Sequence, residues 1–285
     1  MTLDVGLVGK PSSPEKRIYT WEDTVLYALG IGATKEELDY LYEGRGPKVY
    51  PSFAVVPKFN PMLDLLAKTG GSMAMVVHGS EKVEIVRPFA TAGTLYTTAT
   101  IRGIYDMRKF ASVIIDMESK NEQQEVVCRT TSGIIFRGAG GFDGPRPPKE
   151  ETPFPVPKDR PADFRVEQAT SNEQALLYRL SGDFNPLHAD PEFAANVGFE
   201  KGPILHGLCT FGYMVRHAAK GAGGGDASKL TAFGAQFRRP VWPGDTLVTE
   251  GWIVSPGNVA LSVSVKERAE VVLSNTWASF DASGG

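Results

Sequence analysis

The 285-residue chain carries a net charge of −3, and 42% of its residues are hydrophobic. That length suits one large domain or two of moderate size, with enough apolar content for a real core. The charge balance supplies no basic field for nucleic acid or an anionic membrane surface, and no run approaches the roughly 18 apolar residues of a membrane span.

Cys128 and Cys209 lie far apart, in neither disulfide nor metal-ligand spacing, which fits a reducing compartment. The opening MTLDVGLVGK lacks the basic and apolar regions of a signal peptide. The closing Ala282-Ser283-Gly284-Gly285 lacks a peroxisomal tripeptide, so the expected location is cytoplasmic.

In chain order, residues 1–19 read as an extended lead-in. TWEDTVLYALG and ATKEELDYLYEG read as two helices broken by Gly30-Ile31-Gly32. PSFAVVP is a short connection, and MLDLLAK predicts one further helical turn or two. Strand signals then dominate, at Met73–Val77, Lys82–Val86, Thr94–Ile104, Ser112–Ser119 and Glu125–Phe136. The stretch 138–161 is dense in Gly and Pro and reads as a semi-rigid linker.

Beyond the linker the pattern restarts. Thr170 or Ser171 is expected to cap a helix, NEQALLYRL. A long apolar helix follows at Leu205–Lys220, then strands at Thr231–Arg238, Thr246–Ile253, Val259–Lys266 and Val271–Phe280. Leu177-Tyr178-Arg179-Leu180 echoes Leu26-Tyr27-Ala28-Leu29. Arg239-Pro240 before Thr246-Leu247 echoes Arg87-Pro88 before Thr94-Leu95, and Glu270-Val271-Val272 echoes Glu125-Val126-Val127. The offset is about 150 residues throughout, the mark of a duplication. Two α+β repeats follow, at 1–137 and 162–285. Each has a helix wrapped by about four antiparallel strands, and the half-sheets are expected to join edge to edge into one continuous sheet.

The polar residues of the second repeat concentrate in YRLSGDFNPLHADPEFAANVGFEKGPILHGLCTF. Asp183 and His188 stand five residues apart across turn chemistry, as acid/base work needs. The spacing equally fits an Asx-turn aspartate and a packed histidine. Against that second reading, the first repeat has Gly30-Ile31-Gly32 at the aligned place and neither residue.

Gly207, opening an apolar helix, could offer an N–H to a developing oxyanion or simply permit close packing. His206 fits a ligand, a base or buried filler. Asp183, His188, Asp190 and His206 match no closed zinc spacing, and no metal is expected. Cys209, inside an apolar helix, reads as buried and not nucleophilic. Gly221-Ala222-Gly223-Gly224-Gly225 follows a helix and lacks the Lys of a phosphate loop. Arg238 and Arg239, at a strand end, suit either a phosphate-rich ligand or a solvated rim.

The run Tyr178-Arg179-Leu180-Ser181-Gly182-Asp183-Phe184-Asn185-Pro186-Leu187-His188 closely resembles the hydratase-2 motif of the MaoC-like (R)-specific enoyl-CoA hydratases. The resemblance extends through PILHGLCTFG and the Pro240…Pro243-Gly244-Asp245-Thr246-Leu247 segment. In the first repeat, YALGIGA, PSFAVV, VVHGSEKVEI and GAGGFDG resemble the hydratase unit of the peroxisomal multifunctional enzyme type 2, with His78-Gly79-Ser80 departing from that family's HGEQ.

The resemblance implies a double hot-dog fold and reversible hydration of trans-2-enoyl-CoA to (3R)-3-hydroxyacyl-CoA. It implies an Asp183/His188 pair flanking one water, Asn185 holding that water, and the Gly207 N–H facing the thioester oxygen. It further implies a non-catalytic first repeat that accommodates the acyl chain, Phe184, His206, Arg238 and Arg239 on the substrate or its CoA, no cofactor beyond the CoA of the substrate, and a homodimer. A dehydratase for a polar, branched or carrier-bound acyl thioester, a non-catalytic acyl-CoA binder and a thioesterase are the competing readings.

Overall fold

The computed structural model describes residues 3–149 and 152–281. β1 (Glu15–Tyr19) leads into α1 (Trp21–Gly30), whose start is set by a capping box: the Asp23 carboxylate accepts the Thr20 N–H at 2.8 Å. Then come α2 (Phe59–Lys68), β2 (Val76–Ile85), β3 (Gly93–Asp106), β4 (Phe110–Lys120) and β5 (Val126–Arg137). After the linker come β6 (Phe164–Ala169), α3 (Gln174–Tyr178), α4 (Pro191–Asn196), α5 (Gly207–Ala222), β7 (Leu230–Phe237), β8 (Thr246–Ser255), β9 (Asn258–Val265) and β10 (Glu270–Phe280).

The chain divides into two compact units. One comprises the described residues of Met1–Ile18, Ala54–Arg87 and Thr94–Glu151. Its strands lie in the order β1-β3-β4-β5-β2. Met62, Leu65 and Leu66 of α2 fall on one helical face and bury against Ile101, Val113, Ile115, Ile134 and Phe136 of the sheet.

The second unit comprises Tyr19–Phe53, Pro88–Gly93 and the described residues from Thr152 onward. Its strands run β7-β10-β9-β8-β6, and α5 packs on all five. Every residue from Leu208 to Ala219 of α5 is buried, so this helix is wrapped all round. A bulge in β10 between Ser274 and Trp277 places Asn275 in the left-handed region, φ 48°, bending the strand around the helix.

Several expectations change. The compact units follow packing and not the repeat boundary expected at 137, since residues 19–53 cluster with the later sequence. The cause is close packing of the Gly30-Ile31-Gly32 turn on α5: a side chain on Gly32 would sit 2.3 Å from the Tyr213 ring, and one on Gly212 would sit 2.2 Å from Ile31.

The two strands expected at 73–77 and 82–86 are one strand, β2, preceded by a 3₁₀ turn at Met73–Met75. Gly79-Ser80 is absorbed as a bulge instead of breaking the ladder. ATKEELDYLYEG forms short 3₁₀ segments, the first with a kink at Glu37, in place of an α-helix. Thr170 does not cap α3. Its hydroxyl donates to the Asp245 carbonyl and accepts the Gly244 N–H, and Glu173 is the N-cap residue.

β6 and α4 are additional elements. The linker holds no helix or strand among its described residues, while 150–151 and the terminal 282–285 lie outside the described residues. No helix among the described residues is long and apolar enough to cross a membrane.

Candidate active site

The polar turn of the second unit is built by a relay of local hydrogen bonds. Arg179–Ser181 forms a 3₁₀ turn that Gly182 ends at φ 128°, a conformation that favours glycine. The Asp183 carboxylate accepts the Asn185 N–H at 3.2 Å, an Asx-turn. The Asn185 side-chain oxygen accepts the Leu187 N–H at 3.0 Å and caps a second 3₁₀ turn, Pro186–His188. The Asp190 carboxylate caps α4, accepting from Glu192 and Phe193. His206 is the N-cap residue of α5 and Gly207 its first helical residue.

These turns bring Asp183, His188 and His206 together, with a ligand atom from each within 4.8 Å of the others. His188 is 8% exposed and its Nδ1 lies 2.8 Å from the Ile204 carbonyl. A carbonyl only accepts, so Nδ1 carries the proton and Nε2 is the nitrogen that titrates. His206 is 1% exposed, and its Nε2 donates to the backbone carbonyl of Asp183 at 3.1 Å. Among the described residues the buried His206 Nδ1 has no hydrogen-bond partner. The two imidazoles stack with centroids 3.7 Å apart and planes at 26°, and the Tyr178 ring packs 4.9 Å from His206.

Burial lowers the pKa of His188 below the usual histidine range, against the pull of the Asp183 charge. Burial, and then the neighbouring His188, push His206 well below that range. Both rings therefore rest neutral near pH 7, beside an aspartate that is only partly buried. A neutral imidazole with a fixed tautomer next to a carboxylate can take a proton from a bound water and return one to a substrate carbon.

An Asp/His/His set has the chemistry of a zinc or iron site. A ligating imidazole, however, directs its lone pair in the ring plane. Two rings stacked at 26° send theirs side by side, a poor geometry for meeting at one ion, and the nitrogens free of a carbonyl are His188 Nε2 and His206 Nδ1. The arrangement suits acid/base work better than metal binding.

Other expected residues distribute around this centre. A side chain on Gly207 would meet the Phe237 ring at 3.1 Å, so close packing alone favours glycine there. Arg238 follows Phe237 and folds onto Ser274 and Gln236. Arg239 is exposed and pairs with Glu270 at 3.5 Å. Phe184 is 58% exposed, with the Arg179 guanidinium 5.2 Å from its ring centroid.

His206, expected on the substrate, is buried, stacked on the His188 ring and hydrogen-bonded to the Asp183 backbone carbonyl. Asn185 spends its side-chain oxygen on a cap. Cys209 is buried, its thiol donating to the Gly30 carbonyl at 3.2 Å and its pKa raised well above the ordinary value by burial, so it is no nucleophile. The contact of Tyr178 with His206 was not anticipated, although Tyr178 belongs to the motif.

Residues 154–275 match the model of the MaoC like domain, and residues 18–138 match that of the MFE-2 hydratase 2 N-terminal domain. The mouse peroxisomal multifunctional enzyme type 2 is 36% identical over 99% of this chain, which spans 39% of that protein's length. The 3-hydroxyacyl-thioester dehydratase Y of Mycobacterium tuberculosis is 37% identical over 93% of this chain and 92% of its own. The crystal structure of a MaoC-like dehydratase from Phytophthora capsici superposes with a TM-score of 0.88 at 31% identity, covering 100% of both chains.

Proposed function

Since the chain belongs to the MaoC-like, hydratase 2 family of hydro-lyases and has its double hot-dog fold, we propose that it hydrates trans-2-enoyl-CoA reversibly to (3R)-3-hydroxyacyl-CoA. The observation that carries this reading is the convergence of the Asp183 carboxylate and the His188 imidazole in one cluster of polar groups, with the His188 proton held on Nδ1.

In this mechanism the pair holds one water. As the water oxygen bonds to Cβ, a water proton passes to the pair and the π electrons of the double bond shift to Cα. The pair then delivers a proton to Cα, so its protonation is unchanged over the cycle. Negative charge builds on the thioester oxygen in between. The Gly207 N–H, at the positive end of α5, is the donor assigned to it. The carboxamide nitrogen of Asn185 is the part of that side chain left to hold the water.

Phe184, Arg238 and Arg239 are assigned to the CoA moiety, and the first repeat to the acyl chain. The stacked geometry of His188 and His206 supports a reaction without metal, and no cofactor beyond the CoA of the substrate is invoked. A homodimer and a cytoplasmic location belong to the same proposal. Two buried free thiols, Cys128 and Cys209, support a reducing compartment, and cell fractionation distinguishes the cytoplasm from the peroxisome named for the mouse relative.

In a second reading the same pair works on a polar, branched or carrier-bound 3-hydroxyacyl thioester; the name of the mycobacterial relative, 3-hydroxyacyl-thioester dehydratase, leaves the thioester's carrier open. A panel of enoyl thioesters, followed by loss of the enoyl absorbance, separates the two. Activity confined to short polar or carrier-bound substrates establishes the second.

A further inference from the structure

His206 touches both members of the reacting pair. Its Nε2–H bonds the Asp183 backbone, and its ring lies under His188 at 3.7 Å. Tyr178 closes the other contact of the ring, at 4.9 Å. We infer that His206 is a positioning residue, which fixes the turn carrying Asp183 through its hydrogen bond and the plane of the His188 ring through its stack. The inference rests on the reading of Asp183 and His188 as the reacting pair.

The choice of side chain follows from the two contacts. Phenylalanine would stack but leave the Asp183 carbonyl without its donor. Glutamine would donate but offer no ring face. Of these three the imidazole alone does both, and it has to stay neutral, since a second cation stacked on His188 would oppose the imidazolium that forms in the cycle. Burial at 1% exposure serves that need, and the unpartnered Nδ1 carries no proton while Nε2–H donates. The other charged groups facing the two rings are Asp183, which favours a protonated His188, and Arg179, which opposes protonation of both.

Histidine nitrogen NMR reads this without substrate, and the chain has only four histidines to assign. In the wild type, His206 should show the Nε2–H tautomer and titrate well below an ordinary histidine. An Nδ1–H tautomer, or an ordinary histidine titration, overturns the inference whether or not any variant folds. His206→Phe and His206→Gln should each lower kcat about tenfold or more with little change in KM, as expected for small misplacement of a reacting group. His206→Gln should also shift the titration of His188, having lost the stack.

Two folded variants with wild-type kcat and an unchanged His188 titration overturn the inference. Were Asp183→Asn and His188→Ala both to hydrate normally, the functional reading itself would fail. Loss of activity in those two, beside normal His206 variants, sinks only the positioning role.

Discussion

Lys58 Nζ lies 2.5 Å from the Glu81 carboxylate, and neither side chain is exposed to solvent. Ser132 donates to the same carboxylate oxygen at 2.7 Å, and His78 Nε2 lies 3.0 Å from it. Burial works to raise the Glu81 pKa, but Lys58 and His78 overcome it and hold the carboxyl below its usual range. Lys58→Met should therefore destabilise the protein by about 3–5 kcal/mol, by stranding a buried charge, while adding Glu81→Leu should recover most of the loss. Urea unfolding of the single and double variants measures both. A double variant no more stable than Lys58→Met would contradict this account.

His217 supplies a pH dependence. Its Nδ1 pairs with the Thr249 hydroxyl at 2.8 Å and its Nε2 with the Gln168 side-chain oxygen at 3.2 Å, a fully neutral arrangement. Burial, aided by the Arg216 charge, pushes its pKa down to about 3. The folded value lies below the unfolded one of about 6.5, so the unfolded chain binds more protons between them. Stability is complete above the unfolded value and falls as pH drops toward the folded one, by roughly 1.4 kcal/mol per pH unit from this group. Buried His188 and His206 push the same way, so the contribution is isolated by His217→Gln, whose stability should fall less steeply between about pH 6.5 and 5. Parallel slopes for wild type and variant would show that His217 is not the group responsible.

Gly32 combines φ 79° with a site where a side-chain carbon would lie 2.3 Å from the Tyr213 ring. Gly32→Ala should cost about 2 kcal/mol or more, from left-handed backbone and overpacking together. It should do so although Gly32 stands far in sequence from the reacting pair. Thermal unfolding tests this, and a midpoint within a degree or two of wild type would count against the packing described.

That glycine also shows where reading from sequence stops. Apolar spacing located the long helix α5, and runs rich in Val, Ile, Thr and Tyr located most of the strands, because both are local signals, and the motif singled out Asp183 and His188. Gly30-Ile31-Gly32 read only as a break between helices. Its carbonyls in fact accept from Cys209, Gln174, Arg216 and Gln168, all more than a hundred residues away in sequence, and no local pattern records that. The edge strand β6 escaped because its six residues, FRVEQA, are too short a run for alternation to stand out beside the Gly/Pro-rich linker. The role of His206 escaped because stacking is a tertiary relation, invisible in PILHGLC.

The central claim concerns Asp183 and His188, and one measurement tests it most directly: turnover and product stereochemistry on a medium-chain trans-2-enoyl-CoA, for wild type and for Asp183→Asn and His188→Ala. The account predicts (3R)-3-hydroxyacyl-CoA from the wild type. Each variant should lose about 10²-fold or more in kcat, the scale of a missing general acid or base, with acyl-CoA binding largely kept. Wild-type rates from both variants, or a (3S) product, would contradict it.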